Sequence, residues 1–110
     1  VSNRSFKADT VRAVDGTSVT DTYANLGAAL TEVWGLMSIK NSTDVTIYIS
    51  ENGTDNHYEM PAGSQEGFDL QTNGPGEGIF GKAIGTQFEV KADTGSLPTS
   101  GRVIIQGQYL

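Results

Sequence analysis

Residues 44–70 spell out three short strands and the two reversals that join them. Asp44-Val-Thr-Ile-Tyr-Ile-Ser50 alternates, so Val45, Ile47 and Ile49 share one face while Thr46, Tyr48 and Ser50 share the other. Asn52-Gly53 follows, a pair that tolerates the positive φ of a tight hairpin turn, and His57-Tyr-Glu-Met60 reads as the returning strand. Pro61-Ala-Gly63 makes a second reversal, because Pro61 fixes φ and Gly63 removes a Cβ clash; Phe68 and Leu70 then flank Asp69 in a third strand. This is a framework signal with no reaction chemistry in it.

The same grammar runs through the rest of the chain. Residues 6–14 have the β-branched, alternating character of a strand, Asp15-Gly16 reads as a hairpin turn, and residues 17–23 as its returning strand. Leu26, Leu30 and Val33 recur at helical spacing, but Gly27 weakens a helix, so residues 25–33 are expected to form a loop with at most one or two helical turns. Residues 34–40 look like a strand, and Asn41-Ser-Thr-Asp44 is a cluster of turn formers. Residues 71–78 are a glycine-rich loop, 79–84 a weak strand, 86–92 a stronger one with Phe88 and Val90 on one face, and 93–101 a loop containing Pro98. Residues 102–109 close the set, with Val103, Ile105, Gly107 and Tyr109 on one side. About eight short strands at intervals of roughly 8 to 12 residues predict an all-β fold, a sandwich or a closed barrel; a β-sandwich of jelly-roll-like arrangement with at most one short helical turn is preferred, because two-sheet closure manages the strand edges of a chain with few helices to cover them.

At 110 residues the chain is expected to be a single domain spanning 1–110, with a polar N-terminal arm over residues 1–5. Val1 in place of Met fits removal of an initiator Met before a small residue. Fourteen glycines imply a modest core and much turn. Seven basic residues against thirteen acidic ones give a net charge of -6, which opposes binding to nucleic acid or to an anionic membrane surface. No apolar stretch approaches the roughly 18 to 20 residues needed to span a bilayer as a helix. With no cysteine there are no disulfides and no thiolate metal sites.

Few constellations offer chemistry. Gly76-Glu-Gly-Ile-Phe-Gly-Lys82 comes one residue short of a phosphate-binding loop, because Ala83 stands where Ser or Thr would hold magnesium and Gly85 interrupts the helix that should follow. His57 is the single histidine, so a multi-histidine metal site within one chain is excluded, and a triad of Ser50, His57 and Asp55 lacks any nucleophile context. Glu59, Glu66 and Asp69, expected near one another on adjacent strands, read as a solvated acidic face rather than a glycosidase pair. The loop at residues 51–56 has oxygen ligands without calcium-loop spacing, and the sequons at Asn3, Asn41 and Asn52 fall in turn-like segments. No catalytic residue, cofactor or metal site is therefore assigned. Trp34 with Tyr23, Tyr48 and Tyr58 suggests either a sugar-stacking platform or, preferred here, contacts to protein.

Three segments resemble small virion proteins of tailed bacteriophages: Tyr23-Ala-Asn-Leu-Gly-Ala-Ala-Leu30; the run Ile39-Lys-Asn-Ser-Thr-Asp-Val-Thr-Ile-Tyr-Ile-Ser50 with its Asn-Gly turn and Pro61-Ala-Gly63; and Pro98-Thr-Ser-Gly-Arg-Val-Ile-Ile-Gln-Gly-Gln-Tyr109. Within that group, length and acidity are similar to the capsid decoration proteins of the staple type in epsilon-fifteen-like phages. The resemblance implies a non-enzymatic, jelly-roll-like subunit on the outer capsid surface of a virion, a homodimer or other homo-oligomer that bridges neighbouring major capsid proteins. Arg4, Phe6, Trp34, Tyr48, Tyr58 and Tyr109 are the expected protein-contact residues. The alternatives are a tail or neck structural protein and a carbohydrate-binding β-sandwich module.

Overall fold

The computed structural model describes residues 5–70 and 81–110. Among these residues nine strands follow in chain order: β1 (Lys7–Ala8), β2 (Arg12–Asp15), β3 (Ala24–Asn25), β4 (Trp34–Asn41), β5 (Ile47–Ser50), β6 (Tyr58–Met60), β7 (Gln65–Asp69), β8 (Glu89–Ala92) and β9 (Arg102–Tyr109). One sheet has the order β1-β9-β4-β7 with β2 also paired to β9, the other β3-β8-β5-β6, and every pairing is antiparallel. The pairs nest, β2 with β9, β3 with β8, β4 with β7 and β5 with β6, as when a long hairpin is rolled up on itself. That is a jelly roll, and β1 and β2 together form its broken first strand.

The core lies between the sheets. β4 contributes Trp34, Met37 and Ile39; β5 contributes Ile47 and Ile49; β9 contributes Val103 and Ile105, all essentially without solvent exposure. The alternation of β9 holds as expected, and Gly107 is where it is because of Trp34. A Cβ on Gly107 would stand 1.9 Å from the indole, so only glycine lets the ring lie flat on the strand. The indole also stacks on Phe88, ring centroids 6.1 Å apart, a contact that adds about 1 kcal/mol to the burial itself.

Several expectations change. The β5–β6 hairpin exists, with Ile47 opposite Met60 and Ile49 opposite Tyr58, but residues 51–57 form a longer loop in place of a tight turn. Gly53 alone takes positive φ (76°), and the Ser50 hydroxyl, buried rather than surface-facing, accepts from the Asn52 and Gly53 amides to hold the loop. The Pro61 reversal is present, Ser64 N–H donating to the Pro61 carbonyl with Gly63 at φ 74°, yet it is a corner that carries β7 into the opposite sheet. Asp15-Gly16 does not turn a hairpin. Gly16–Ser18 is a 3-10 turn, and the chain then crosses to the other sheet, where only Ala24–Asn25 pairs. Gly16 donates to the Gly101 carbonyl, and its neighbour Val19 is drawn into the core, so tertiary contacts override local turn propensity. No helix forms over residues 25–33: the spaced Leu26 and Leu30 are core anchors of an irregular loop. Residues 81–84 make only an isolated bridge, Lys82 to Trp34; the glycine-rich loop at 71–78 and residues 79–80 lie outside the described residues.

Candidate functional site

The polar side chains sort into those that hold the fold and those left for the surface. Trp34 belongs to the first group. It has no exposure at all, which removes it as a contact residue and removes the sugar platform built around it. Its Nε1–H donates to Asp9 Oδ2 at 2.8 Å, and Arg12 lies 5.2 Å from the ring centroid while bridging to Asp9 at 3.2 Å. Arg12 is itself buried and donates to the carbonyls of Thr10, Ala28 and Ala29. Burial alone raises the Asp9 carboxyl, but bonds from Trp34 and the Thr10 amide and the charge of Arg12 outweigh it, so the group lies below the usual carboxylate range.

Asn41 is the residue that sequence reasoning missed most completely. Read as a turn former and sequon, it is fully buried at the seam between the sheets. Its two amide hydrogens serve the carbonyls of Val45 (2.9 Å), Met60 (2.9 Å) and Pro61 (3.1 Å), and its Oδ1 accepts from the amide and hydroxyl of Thr43. The one readable signal was a lone Asn at an inward position of the β4 alternation. A second knot ties the two sheets at Tyr58. Its hydroxyl donates to Glu51 at 2.7 Å, Lys82 bridges to the same carboxylate at 2.7 Å, and its ring meets Phe68 edge-on at 5.4 Å. Burial, then the Glu51 bond, raises the Tyr58 phenol. Burial lowers the Lys82 ammonium, yet its bonds to Glu51 and Tyr58 prevail and raise it. The lysine of the near-miss phosphate loop is thus occupied in an ion pair; residues 76–80 of that motif lie outside the described residues.

The candidate catalytic groups do not assemble. His57 is exposed, with Nδ1 accepting from the Glu51 amide, and Ser50 is engaged by its own loop. Glu59 and Glu66 sit on different sheets, correcting the expectation that they share a neighbourhood on adjacent strands. Glu66 is in register with inward Ile39 on the β7 edge, a charge that discourages edge-to-edge pairing. Among the described residues, no group of three or more His, Cys, Asp or Glu is placed to hold a metal ion.

The outer faces of the two sheets differ. On the four-stranded sheet, Tyr48 stands between Lys91 and Glu59 in register and donates to Asp93 at 3.1 Å, a bond that raises its phenol. Tyr23 bonds Asn56 and the Asp55 carbonyl, with Lys91 5.0 Å from its ring; burial first, then nearby Asp55, raises it. On the five-stranded sheet, the outward row Ala8, Gln108, Leu36 and Asp69 lies beside the row Gln106, Ser38 and Gly67. Together with Asp9 and Val11 they line a groove of about 510 Å³. The outward charges of the paired strands on this sheet cancel in number: Asp15 stands opposite Arg102, and Lys40 and Asp69, at opposite ends of the β4–β7 pairing, carry one charge of each sign. Of the expected contact residues, Phe6 is 37% exposed beside β1, Tyr48 and Tyr58 are half-buried, and Tyr109 packs against the core; Arg4 lies outside the described residues. Val11, 46% exposed at the rim of the groove, was not foreseen.

Comparison of the chain with protein-family models, with curated proteins and with solved structures gave no match.

Proposed function

We propose that this chain is a non-enzymatic structural protein of a bacteriophage virion. It binds the outside of the capsid shell as a homodimer and bridges neighbouring major capsid proteins. The observation that carries the reading is the division of the surface: a rigid jelly roll whose four-stranded sheet is occupied with its own bonds and whose five-stranded sheet presents a charge-balanced face beside exposed Phe6 and Val11. A chain of net charge -6 meets a partner with least repulsion through such a face. The resemblance of three segments to phage decoration proteins supports the same reading, and those segments supply Leu26, Leu30, β5, Pro98 and β9, the frame of the roll.

The test is sedimentation of purified protein with expanded capsids that lack it. Binding and higher resistance of the shell to heat or chelation are expected, with binding lost in a Phe6→Asp, Val11→Asp double variant. Co-purification with tails or necks without capsid binding overturns the assignment.

A further inference from the structure

The groove on the five-stranded sheet has a chemistry of its own that shell binding does not require. Its floor is low because Ala8, Ser38 and Gly67 bring little or no side chain to the outward rows, while Gln106, Gln108 and Leu36 stand around them and Val11 forms a rim. The Ser38 hydroxyl and both glutamine amides make no side-chain hydrogen bond to the described residues. Each amide offers two donors and an acceptor, and the hydroxyl offers both, so the groove can donate and accept at several adjacent points. Among the described residues no lysine or arginine lines it, and Asp9 and Asp69 do, which disfavours phosphate, carboxylate or sulfate groups. Leu36 and Val11 supply apolar surface between the polar points. The volume is within the range of about 300–1,000 Å³ that holds a small ligand.

A ligand matched to these features is uncharged, rich in hydroxyls that both donate and accept, and carries C–H faces. We propose that the groove of Ser38, Gly67, Gln106 and Gln108 binds a neutral oligosaccharide laid across β9, β4 and β7. The site is separate from the overturned aromatic platform and independent of the capsid assignment. An extended uncharged peptide would use the same amides, but strand addition would place it along the β7 edge, whereas the groove runs across β9, β4 and β7.

The experiment is backbone-amide NMR titration of the full chain with gluco-, galacto- and manno-oligosaccharides, an uncharged peptide pool and a sulfated oligosaccharide as separate arms. The expected result is that at least one neutral saccharide, at concentrations up to about 10 mM, shifts the signals of Ser38, Gly67, Gln106 and Gln108. Affinity should fall at least about tenfold in Gly67→Leu, whose side chain fills the floor; a Cβ there meets nothing nearer than the Met37 carbonyl at 4.0 Å, so the fold accepts it. The surface variant Gln106→Ala, Gln108→Ala should weaken binding with an unchanged spectrum elsewhere. Absence of shifts with every neutral saccharide, shifts only with peptide or the sulfated arm, or binding unaffected by both variants overturns the proposal.

Discussion

Gly107 and Gln108 are adjacent on β9, yet they face opposite worlds. The inner side of the five-stranded sheet is fitted to the ångström, with an indole pressed on Gly107 and an amide at Asn41 bonded on every side. The outer side carries Leu36, Ser38, Gln106 and Gln108, whose neighbours constrain them little. Identical backbone geometry therefore supports two roles one residue out of phase: one side determines the fold, the other is open to selection for contact.

Breaking the inner side should have the largest effect. Gly107→Val places a branched side chain inside the Trp34 ring and is expected to abolish the cooperative unfolding transition, whereas Gln108→Val should leave the unfolding free energy from urea titration within about 0.5 kcal/mol of the parent. Asn41→Ala comes next, because the Val45, Met60 and Pro61 carbonyls each lose one donor and the Thr43 amide and hydroxyl lose their acceptor at a buried seam. A loss on the order of 3 kcal/mol is expected by chemical denaturation, and an effect as small as that of Gln108→Val would show the network to be dispensable.

The same contrast explains what could be read in the sequence. Strands β4, β5, β8 and β9 were legible because inward residues such as Ile47, Ile49, Phe88, Val90, Val103 and Ile105 alternate locally. Strand spacing pointed to a sandwich or a closed barrel, and the two-sheet, jelly-roll-like arrangement followed from the need to cover strand edges in a chain with few helices. The misread parts depend on partners far along the chain. Asp15-Gly16 carries a hairpin turn's residues, but Gly16 is held by Gly101; Trp34 looks like a surface aromatic until Gly107 and Phe88 close on it. Asn41 has the composition of a turn, and only the Pro61 corner, brought back from twenty residues on, makes it a core residue. The groove was invisible for the complementary reason: Ser38, Gly67 and Gln106 are ordinary residues singly, and register alone makes them neighbours.

A smaller effect sharpens the comparison from the sheet margin, where Asp9 joins the two sides. Its carboxyl lies below its ordinary value in the folded chain, so the unfolded chain binds the proton more readily. The stability it contributes is present above the ordinary value and is lost as pH falls through the folded one. Thermal melts from about pH 7 to about pH 3 should therefore show Asp9→Asn less stable at neutral pH and nearer the parent in acid. A constant gap across that range would show that Asp9 acts by shape alone. Smallest of all, Asp93→Asn should leave the melting curve unchanged while bringing the Tyr48 phenol back toward its ordinary value in an alkaline spectroscopic titration, since the bond between them is exposed.

β9 is the last of the nine strands in sequence and sits between β4 and the β1/β2 pair. During synthesis, β1, β2 and β4 leave the ribosome long before the strand they must flank. Until it arrives, their hydrogen-bonding edges are open and Trp34 has no Gly107 to rest on. Folding therefore waits on loop closures that span most of the chain, the slow regime of non-local β topologies. Every copy of the chain passes through this interval, which gives its many acidic residues a use: keeping half-made chains apart.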